Sequence, residues 1–296
     1  MALKSDNMQI SIPNKDKFEQ IVQTLCSPLF NFAPIDWVTE DDISAFIENL
    51  TVVFPCGGES KRMAELNNSV HKTALHITNE DTLLTRMIKL YASYGVKKFV
   101  MLVGINSDSI LESTNTACKD LDVQLHYSAD PGKPVGRGGA ILHAIESGLI
   151  TPNEHILVHN ADDQIVNYKQ NFLRDICKAH IANNKKGAIA TAIVAVGVPF
   201  PYTALSIEDS IVTCAASKPR LYIPAHTGIT ILQKEAQKYF PELFDYSGKK
   251  DFEDYLFPVL IKRNALGAHP IPGECWIPVN TPKEYKQLLT ILNQNA

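Results

Sequence analysis

The hydrophobic pattern of the chain changes near residue 50. Before that point, apolar residues recur at helical spacing over residues 18–25 and again over residues 43–50. Thr39 is followed by three acidic residues, which is typical of a helix N-cap with a negatively charged first turn. We therefore expect residues 1–49 to form a short N-terminal helical extension.

From residue 50 onwards, apolar runs of strand length alternate with helical stretches. The runs are TVVFP, KKFVML, DVQLHY and HILVHN, and the helical stretches cover about residues 81–94, 107–120 and 137–148. This order is typical of an α/β protein with a mostly parallel sheet and helices on both faces. After residue 185 the strands become shorter, two more helices follow, and a last helix is expected over residues 282–293. We predict one compact two-lobed domain over residues 50–296.

Three polar loops follow predicted strands and should lie on one rim of the sheet, because open α/β sheets bind ligands outside the carboxyl ends of their strands. The loops are CGGESKRM at residues 56–63, GKPVGRGG at 132–139 and NADD at 160–163. In the first loop, Gly57 and Gly58 would let backbone N–H groups approach a phosphate, and the basic pair that follows adds positive charge. Taken alone, the glycine pair is more often an ordinary turn with two solvated basic residues.

Composition argues against several kinds of partner. The 296 residues are 45% hydrophobic and 20% charged, and the net charge of −4 argues against binding nucleic acid or an anionic membrane through bulk charge. No apolar stretch is long enough for a signal peptide or a membrane span. The six cysteines are scattered without a CxxC pair and are expected to be reduced thiols, so we predict a cytoplasmic protein.

The spacing of two basic residues indicates a family. Lys72 follows Arg62 by ten positions and stands in the segment HKTALHI. The combination of GGESKR and HKTALHI resembles the first motif of the sugar-1-phosphate nucleotidyltransferases, or nucleotide-sugar pyrophosphorylases. That motif is a strand, a GGxGTR loop and a lysine ten positions past the arginine. Ser60, Lys61 and His71 depart from the family's glycine, threonine and proline.

The resemblance implies roles for the residues of this first motif. Cys56, Gly57 and Gly58 would bind the nucleotide. Arg62 would hold the leaving β,γ-phosphates, and Lys72 would bind the α-phosphate as charge develops. Replacement of either cation by alanine is expected to lower turnover about a hundredfold or more, by analogy with a lost oxyanion donor.

Further motifs follow in the family's order. KPVGRGGAILHA resembles a segment that lies against the base, which implies nucleotide contacts at Gly136 and Gly139. ILVHNADDQ resembles a strand that ends in asparagine-glycine-aspartate, which implies that Asp162 binds Mg²⁺. In SKPRLYIPAHTGITIL, Lys218 and Gly228 match positions that imply sugar-phosphate binding. Each motif alone also has an ordinary explanation, such as a glycine-rich helix start, a turn cap or a solvated lysine.

The last motif, ECWIPVNTPKEYKQLL, resembles the family's closing tryptophan strand and helix start. Trp276, Thr281 and Pro282 match, but Pro278 stands where the family has an aspartate that binds the metal. A proline side chain cannot bind a metal ion, so the carbonyl oxygen of Asn280, two residues further on, is the alternative ligand.

The resemblance covers residues 50–296 and implies a Rossmann-like mixed sheet of the nucleotide-diphospho-sugar transferase type. Residues 50–160 would form the nucleotide half and residues 161–296 the sugar-phosphate half. The implied substrates are a nucleoside triphosphate (NTP) and a sugar-1-phosphate, the products an NDP-sugar and pyrophosphate, and the cofactor Mg²⁺. Because the attacking phosphate is already ionised, catalysis would depend on positioning and charge neutralisation.

The departures from the family leave other functions open. Pro278, Ser217 and Thr203 all fall on the sugar side or at the second metal position. A nucleotide-binding regulatory protein without turnover, or a transferase for a different phosphorylated acceptor, would share the nucleotide side. A homo-oligomer that uses residues 1–49 as its interface is also left open. A histidine-based metalloenzyme, a GxSxG hydrolase and a dinucleotide-dependent dehydrogenase lack the required spacings.

Overall fold

The computed structural model describes Gln20, residues 22–24, 30–32, 35–58, Met63, 70–104 and 107–294. Most of the helix expected over residues 18–25 lies outside these ranges. The α-helices, numbered in chain order, are α1 Glu40–Glu48, α2 Leu83–Ser93, α3 Asp108–Ala117, α4 Gly136–Glu146, α5 Phe172–Lys185, α6 Phe240–Leu243, α7 Phe252–Lys262 and α8 Pro282–Gln294. The strands are β1 Leu50–Cys56, β2 Lys98–Val103, β3 Gln124–Ala129, β4 His155–His159, β5 Asp163–Ile165, β6 Ala190–Val196, β7 Val198–Pro199, β8 Thr203–Glu208, β9 Ile211–Ser217, β10 Arg220–Leu221, β11 Ala225–Leu232, β12 Leu266–Pro272 and β13 Trp276–Pro278.

Seven of these strands form the central sheet, in the order β12-β6-β11-β4-β1-β2-β3. β4, β1, β2 and β3 are parallel neighbours, and β12 is parallel to β6. β11 runs antiparallel to both of its neighbours, β4 and β6. The predicted α/β fold with a mostly parallel mixed sheet is therefore confirmed.

Helices cover both faces of this sheet. Successive side chains of a strand point to opposite faces, so Val52 and Phe54 of β1 pack into one hydrophobic cluster and Val53 packs into another. The first cluster also holds buried residues of α1, α2 and α5, and the second holds those of α4, α6 and α7. Residues of β1 are thus enclosed on both sides, which suits a strand at the centre of a parallel sheet.

Helix α1 belongs to the first of these clusters, although it precedes the predicted domain. The Thr39 hydroxyl accepts a hydrogen bond from the Asp42 N–H at 3.1 Å, and an Asp42 carboxylate oxygen accepts one from the Thr39 N–H at 3.0 Å. This capping box confirms the predicted helix start. The Phe46 ring stacks on His155 with centroids 4.3 Å apart, so the helix is packed onto the end of β4.

Across the described ranges, no helix is both long enough and apolar enough to span a bilayer.

Candidate active site

A cavity of about 350 Å³ lies at the carboxyl ends of β4, β1, β2 and β3. Parallel strands end at the same edge of a sheet, so the loops that follow them meet there. The lining combines glycines, charged side chains and a few apolar groups. The lining residues are Pro55, Gly57, Gly58, His71, Lys72, Leu102, Asp130, Pro134, Gly136, Arg137, Ala140, Asn160, Asp162, Lys249, Asp251 and Asn280.

A buried histidine fixes the glycine turn that follows β1. His71 Nε2 lies 2.9 Å from the Gly58 carbonyl oxygen, and His71 Nδ1 lies 2.8 Å from the Thr73 hydroxyl oxygen. A neutral ring protonated at Nε2 satisfies both contacts, because Nε2–H donates to Gly58 and Nδ1 accepts from Thr73. Burial lowers the pKa of His71, which favours the neutral ring. His71 therefore joins the glycine turn to the segment that carries Lys72.

The predicted catalytic lysine and the predicted metal ligand meet in this cavity. Lys72 opens a short 3₁₀ helix, Lys72–Ala74, and Asp162 follows β4. The Lys72 ammonium forms an ion pair with the Asp162 carboxylate, and the two side chains are only 20% and 11% exposed. Solvent and salt screen such a pair less than an exposed one. A positive charge and a carboxylate are thus held side by side next to the Gly57–Gly58 turn.

Beside this ion pair lies a second, buried carboxylate. Asp163 Oδ2 accepts a hydrogen bond from Asn160 Nδ2 at 3.1 Å, and its Oδ1 accepts one from Trp276 Nε1 at 2.9 Å. Burial, reinforced by the negative charge of Asp162, raises the pKa of Asp163 well above its ordinary value. The hydrogen bonds from Asn160 and Trp276 oppose this shift.

Arg137, at the start of α4, connects this network to the start of α7. Its guanidinium donates to Asp251 at 3.1 Å, to Glu253 at 2.7 Å and to the side-chain oxygen of Asn160 at 3.3 Å. The backbone N–H of Gly138 donates to the Lys250 carbonyl oxygen at 2.9 Å. The first turn of α4 is therefore tied to the chain before α7, and two carboxylates already offset the charge of Arg137.

Several predicted site residues lie together in this cavity. They are Gly57, Gly58, Lys72, Gly136, Asp162 and Asn280. Gly228 lines an adjoining cavity of about 440 Å³, which shares Arg137, Asn160 and Asn280 with the first. Arg62 lies outside the described residues, so its role stays a prediction.

Other predicted residues do not line either cavity. Cys56 is buried, and burial raises the pKa of its thiol to about 12, so the side chain is neutral. Gly139 serves packing, because a Cβ there would lie 2.8 Å from the Cβ of Val135. Lys218 is exposed in the turn between β9 and β10 and does not line either cavity.

Sequence reasoning missed four polar side chains of this site: His71, Asp130, Arg137 and Asp163. Asp163 lies in the NADD loop that the carboxyl-end rule already placed at the binding edge, and Asp130 follows β3 at the same edge, but the family resemblance singles out only Asp162. The Arg137 side chain carries a charge within a glycine-rich loop, which was a usable signal. No sequence signal marks His71, because its role depends on its contact with Gly58, which the spacing of residues along the chain does not show.

The residues in the cavity fit a metal that arrives with phosphates better than a metal held by protein alone. Within the described ranges, no group of three or more histidine, cysteine, aspartate or glutamate side chains could hold a metal ion. The Val279 N–H donates to the Asp162 carbonyl oxygen at 2.9 Å, which brings Asn280 next to Asp162. Mg²⁺ commonly binds through one or two carboxylates together with substrate phosphates and water. Asp162 with Asn280 matches that requirement.

The mixed sheet and the cleft at its carboxyl edge have the architecture of nucleotide-binding α/β proteins. The family model for nucleotidyl transferases matches residues 52–294, and the chain belongs to this family. The family indicated by the motifs is therefore confirmed.

Individual relatives agree with this assignment. The chain is 24% identical over 250 residues to a Bacillus subtilis protein named as a probable glucose-1-phosphate cytidylyltransferase, and the match covers 82% of this chain and 94% of that protein. Among solved structures, a UDP-glucose pyrophosphorylase complexed with UDP-glucose matches with a TM-score of 0.62 and 17% identity, covering 83% of this chain and 99% of that one. HddC from Yersinia pseudotuberculosis matches with a TM-score of 0.56 and 20% identity, covering 81% and 98%. At these identities the solved structures support the fold.

Proposed function

We propose that this protein joins a sugar-1-phosphate to a nucleoside triphosphate and releases pyrophosphate. The observation that carries the proposal is the meeting of Lys72, Asp162 and the Gly57–Gly58 turn in one cavity. The relatives' names support the same class of reaction but differ in the base that they specify.

In the proposed reaction, a phosphate oxygen of the sugar-1-phosphate attacks the α-phosphorus of the nucleotide. The bond from that phosphorus to the oxygen bridging the α- and β-phosphates breaks, and pyrophosphate leaves with the electron pair. Both reactants are anions, so mutual repulsion is the main obstacle. Lys72 would offset charge at the α-phosphate, and the backbone N–H groups of the Gly57–Gly58 turn would orient the phosphates. Mg²⁺ held by Asp162 and Asn280 would add positive charge at the phosphates.

The adjoining cavity is the proposed sugar site. It is lined by Gly228, Trp276 and Pro278 and opens onto the first cavity beside Arg137 and Asn160. Arg137 is already paired with Asp251 and Glu253. We therefore propose that it holds the residues between the two cavities in position. Arg62 and Lys218 stay predicted phosphate ligands.

We also propose a cytoplasmic location. The five described cysteines, Cys56, Cys118, Cys177, Cys214 and Cys275, are all free thiols. Free thiols without disulfides are typical of proteins in a reducing compartment.

The test is pyrophosphate release from full-length protein with Mg²⁺, five NTPs and a panel of sugar-1-phosphates. Wild type should release pyrophosphate with at least one pair, and Lys72→Ala should lower turnover about a hundredfold, equivalent to about 3 kcal/mol on the barrier. Lys98→Ala is the matched control, because Lys98 also forms a half-buried ion pair, with Glu154, but at the amino end of β2. Its turnover should stay within about twofold of wild type.

Two outcomes would contradict the proposal. Nucleotide binding without pyrophosphate release from any pair would favour a binding protein on the same fold. Equal turnover in Lys72→Ala and Lys98→Ala would show that Lys72 takes no part in the reaction.

A further inference from the structure

Exposed hydrophobic side chains are concentrated in one short stretch of the chain. Of the nine large ones among the described residues, six fall between residues 202 and 223: Tyr202, Leu205, Ile207, Ile211, Val212 and Ile223. A single exposed hydrophobic residue is ordinary on a protein surface, whereas a cluster marks an interaction surface. This stretch contains β8 and β9, which lie outside the central sheet.

Strands β8 and β9 form a hairpin with a defined turn. They pair only with each other, as a two-stranded sheet. The loop between them consists of Asp209 and Ser210, with φ values of 50° and 68°. A two-residue loop with positive φ at both positions is a type I′ turn, whose twist matches that of the flanking strands. The hairpin is therefore a regular ribbon rather than an irregular loop.

The two faces of this ribbon differ in exposure. Ala204 lies opposite Ala216, which is only 1% exposed, so this face is covered by the rest of the protein. Leu205 and Ile207 are two positions apart and point to the other face, as does Val212, which lies opposite Ile207. Their exposed fractions are 51%, 61% and 53%. These three side chains form an apolar strip on the outward face, called here the hairpin strip.

The two ends of the hairpin carry opposite charges. Glu208 ends β8 and Asp209 lies in the turn, so the tip is acidic. Lys218 directly follows β9 at the other end and is exposed. Arg220 also lies at that end, where it is paired with Glu274. The hairpin strip therefore lies between an acidic tip and a basic base, which a strand of six residues separates by roughly 20 Å.

We propose that the hairpin strip binds the same strip of a second copy of this chain across a two-fold axis. In such an interface the same surface of both copies must complement itself. Two hairpins that pack face to face and run in opposite directions bury both apolar strips. Each acidic tip then lies near the basic base of the other copy, so the charges at both ends attract.

Other occupants fit the hairpin strip less well. An anionic membrane would repel the acidic tip, whereas hairpins and helices that bind such membranes carry basic residues beside their apolar face. A phosphorylated sugar is too polar to cover three aliphatic side chains. The interface goes beyond the proposed reaction and does not depend on it.

The oligomeric state of the full-length protein is the measurement. One face of a two-stranded ribbon is smaller than the roughly 800 Å² per partner of a standard interface, so the dimer should dissociate in the micromolar range. Sedimentation velocity over about 1 to 200 μM protein should therefore show a shift from monomer to dimer as concentration rises.

A matched pair of serine variants tests the hairpin strip. Ile207→Ser should raise the dissociation constant about tenfold or more, because a two-fold interface contains the residue twice. Ile261→Ser is the control, since Ile261 of α7 is also 61% exposed but lies outside the hairpin. Its dissociation constant should equal that of wild type. Leu205→Ser is a second test of the hairpin strip, and circular dichroism checks that each variant is folded.

A charge variant tests the direction in which the two hairpins run. Asp209→Asn removes a charge from the tip and suits the positive φ of the turn. It should raise the dissociation constant about two- to fivefold at low salt and reduce the salt dependence seen in wild type. Asp122→Asn removes an exposed aspartate just before β3 and should leave association unchanged.

Four results would overturn the proposal in whole or in part. The first is a protein that stays monomeric over the whole concentration range. The second is a dimer that both Ile207→Ser and Leu205→Ser leave unchanged, which would place the interface elsewhere. The third is a monomer that binds phosphatidylcholine vesicles through these residues, which would assign the strip to a membrane. Unchanged association in Asp209→Asn would overturn the opposed direction of the two hairpins.

Discussion

Gly228 leaves the space in which Asn160 and Asp163 form their hydrogen bond. A Cβ on Gly228 would lie 2.2 Å from Asn160 Nδ2 and 2.3 Å from Asp163 Oδ2. The residue also has a φ of +75°, in the left-handed region that favours glycine. The match of Gly228 to the family motif thus has a packing reason here.

Gly228→Ala should therefore lower the free energy of unfolding by two contributions. The left-handed backbone should cost about 1 kcal/mol, and the clash with the Asn160–Asp163 pair about 1–3 kcal/mol more. Gly148→Ala isolates the first contribution, because Gly148 has a φ of +73° with no heavy atom within 4 Å of its Cβ position. Urea unfolding of both variants measures the difference. Equal losses would show that the pair moves aside freely.

Motif spacing along the chain identified some of the charged residues of the cleft. Lys72 and Asp162 are examples, since both stand at fixed positions in chain motifs and both line the cavity. His71 and Arg137 could not be found in this way, because their partners, Gly58 and Glu253, are set by tertiary packing. Spacing along a chain does not encode such contacts.

Helix α1 is an integral part of the core even though it precedes the family match, which begins at residue 52. The Phe46 side chain is 8% exposed and contacts the rings of His155 and His180, with centroids 4.3 and 5.3 Å away. The extension therefore adds hydrophobic surface to the face of the sheet that carries α5.

Phe46→Ala should lower the free energy of unfolding by about 3–5 kcal/mol, because it leaves a cavity against β4 and α5. Glu48→Ala changes an exposed residue of the same helix and should stay within about 0.5 kcal/mol of wild type. Denaturant unfolding followed by circular dichroism compares the two. A small effect of Phe46→Ala would mean that α1 detaches before the rest of the fold opens.

Hydrophobic periodicity predicted the main strands and helices of the sheet. TVVFP and HILVHN became β1 and β4, and the helix expected over residues 282–293 is α8. The antiparallel direction of β11 was not predicted, because periodicity indicates which side chains are buried but not which way a strand runs. The two-residue strands β7 and β10 are too short to leave a pattern.

The molecule as a whole contains five histidines whose pKa is lowered to about 4 by burial. They are His155, His159, His180, His226 and His269. In the unfolded chain a histidine binds its proton near pH 6.5. Between these values the unfolded state holds more protons than the folded state, so stability is present above about pH 6.5 and is lost as pH falls towards 4.

Urea midpoints should therefore fall steeply between pH 6.5 and pH 4. His180→Gln removes one of these groups. The free energy of unfolding of this variant should therefore fall less steeply with decreasing pH, by up to about 1.4 kcal/mol per pH unit. His76→Gln changes an exposed histidine and serves as the control. Its free energy of unfolding should depend on pH as that of wild type does. A pH-independent midpoint in wild type would contradict this account of the buried rings.

The strand order also determines when the sheet can close during synthesis. β1 lies between β2 and β4, and β4 is made about 100 residues after it, so β1 waits roughly 5–20 s at ordinary ribosomal rates. Val52, Val53 and Phe54 are 0% exposed in the finished fold. Throughout that interval the nascent chain carries an apolar strand with one edge unpaired, which is the form most open to aggregation and to capture by a chaperone.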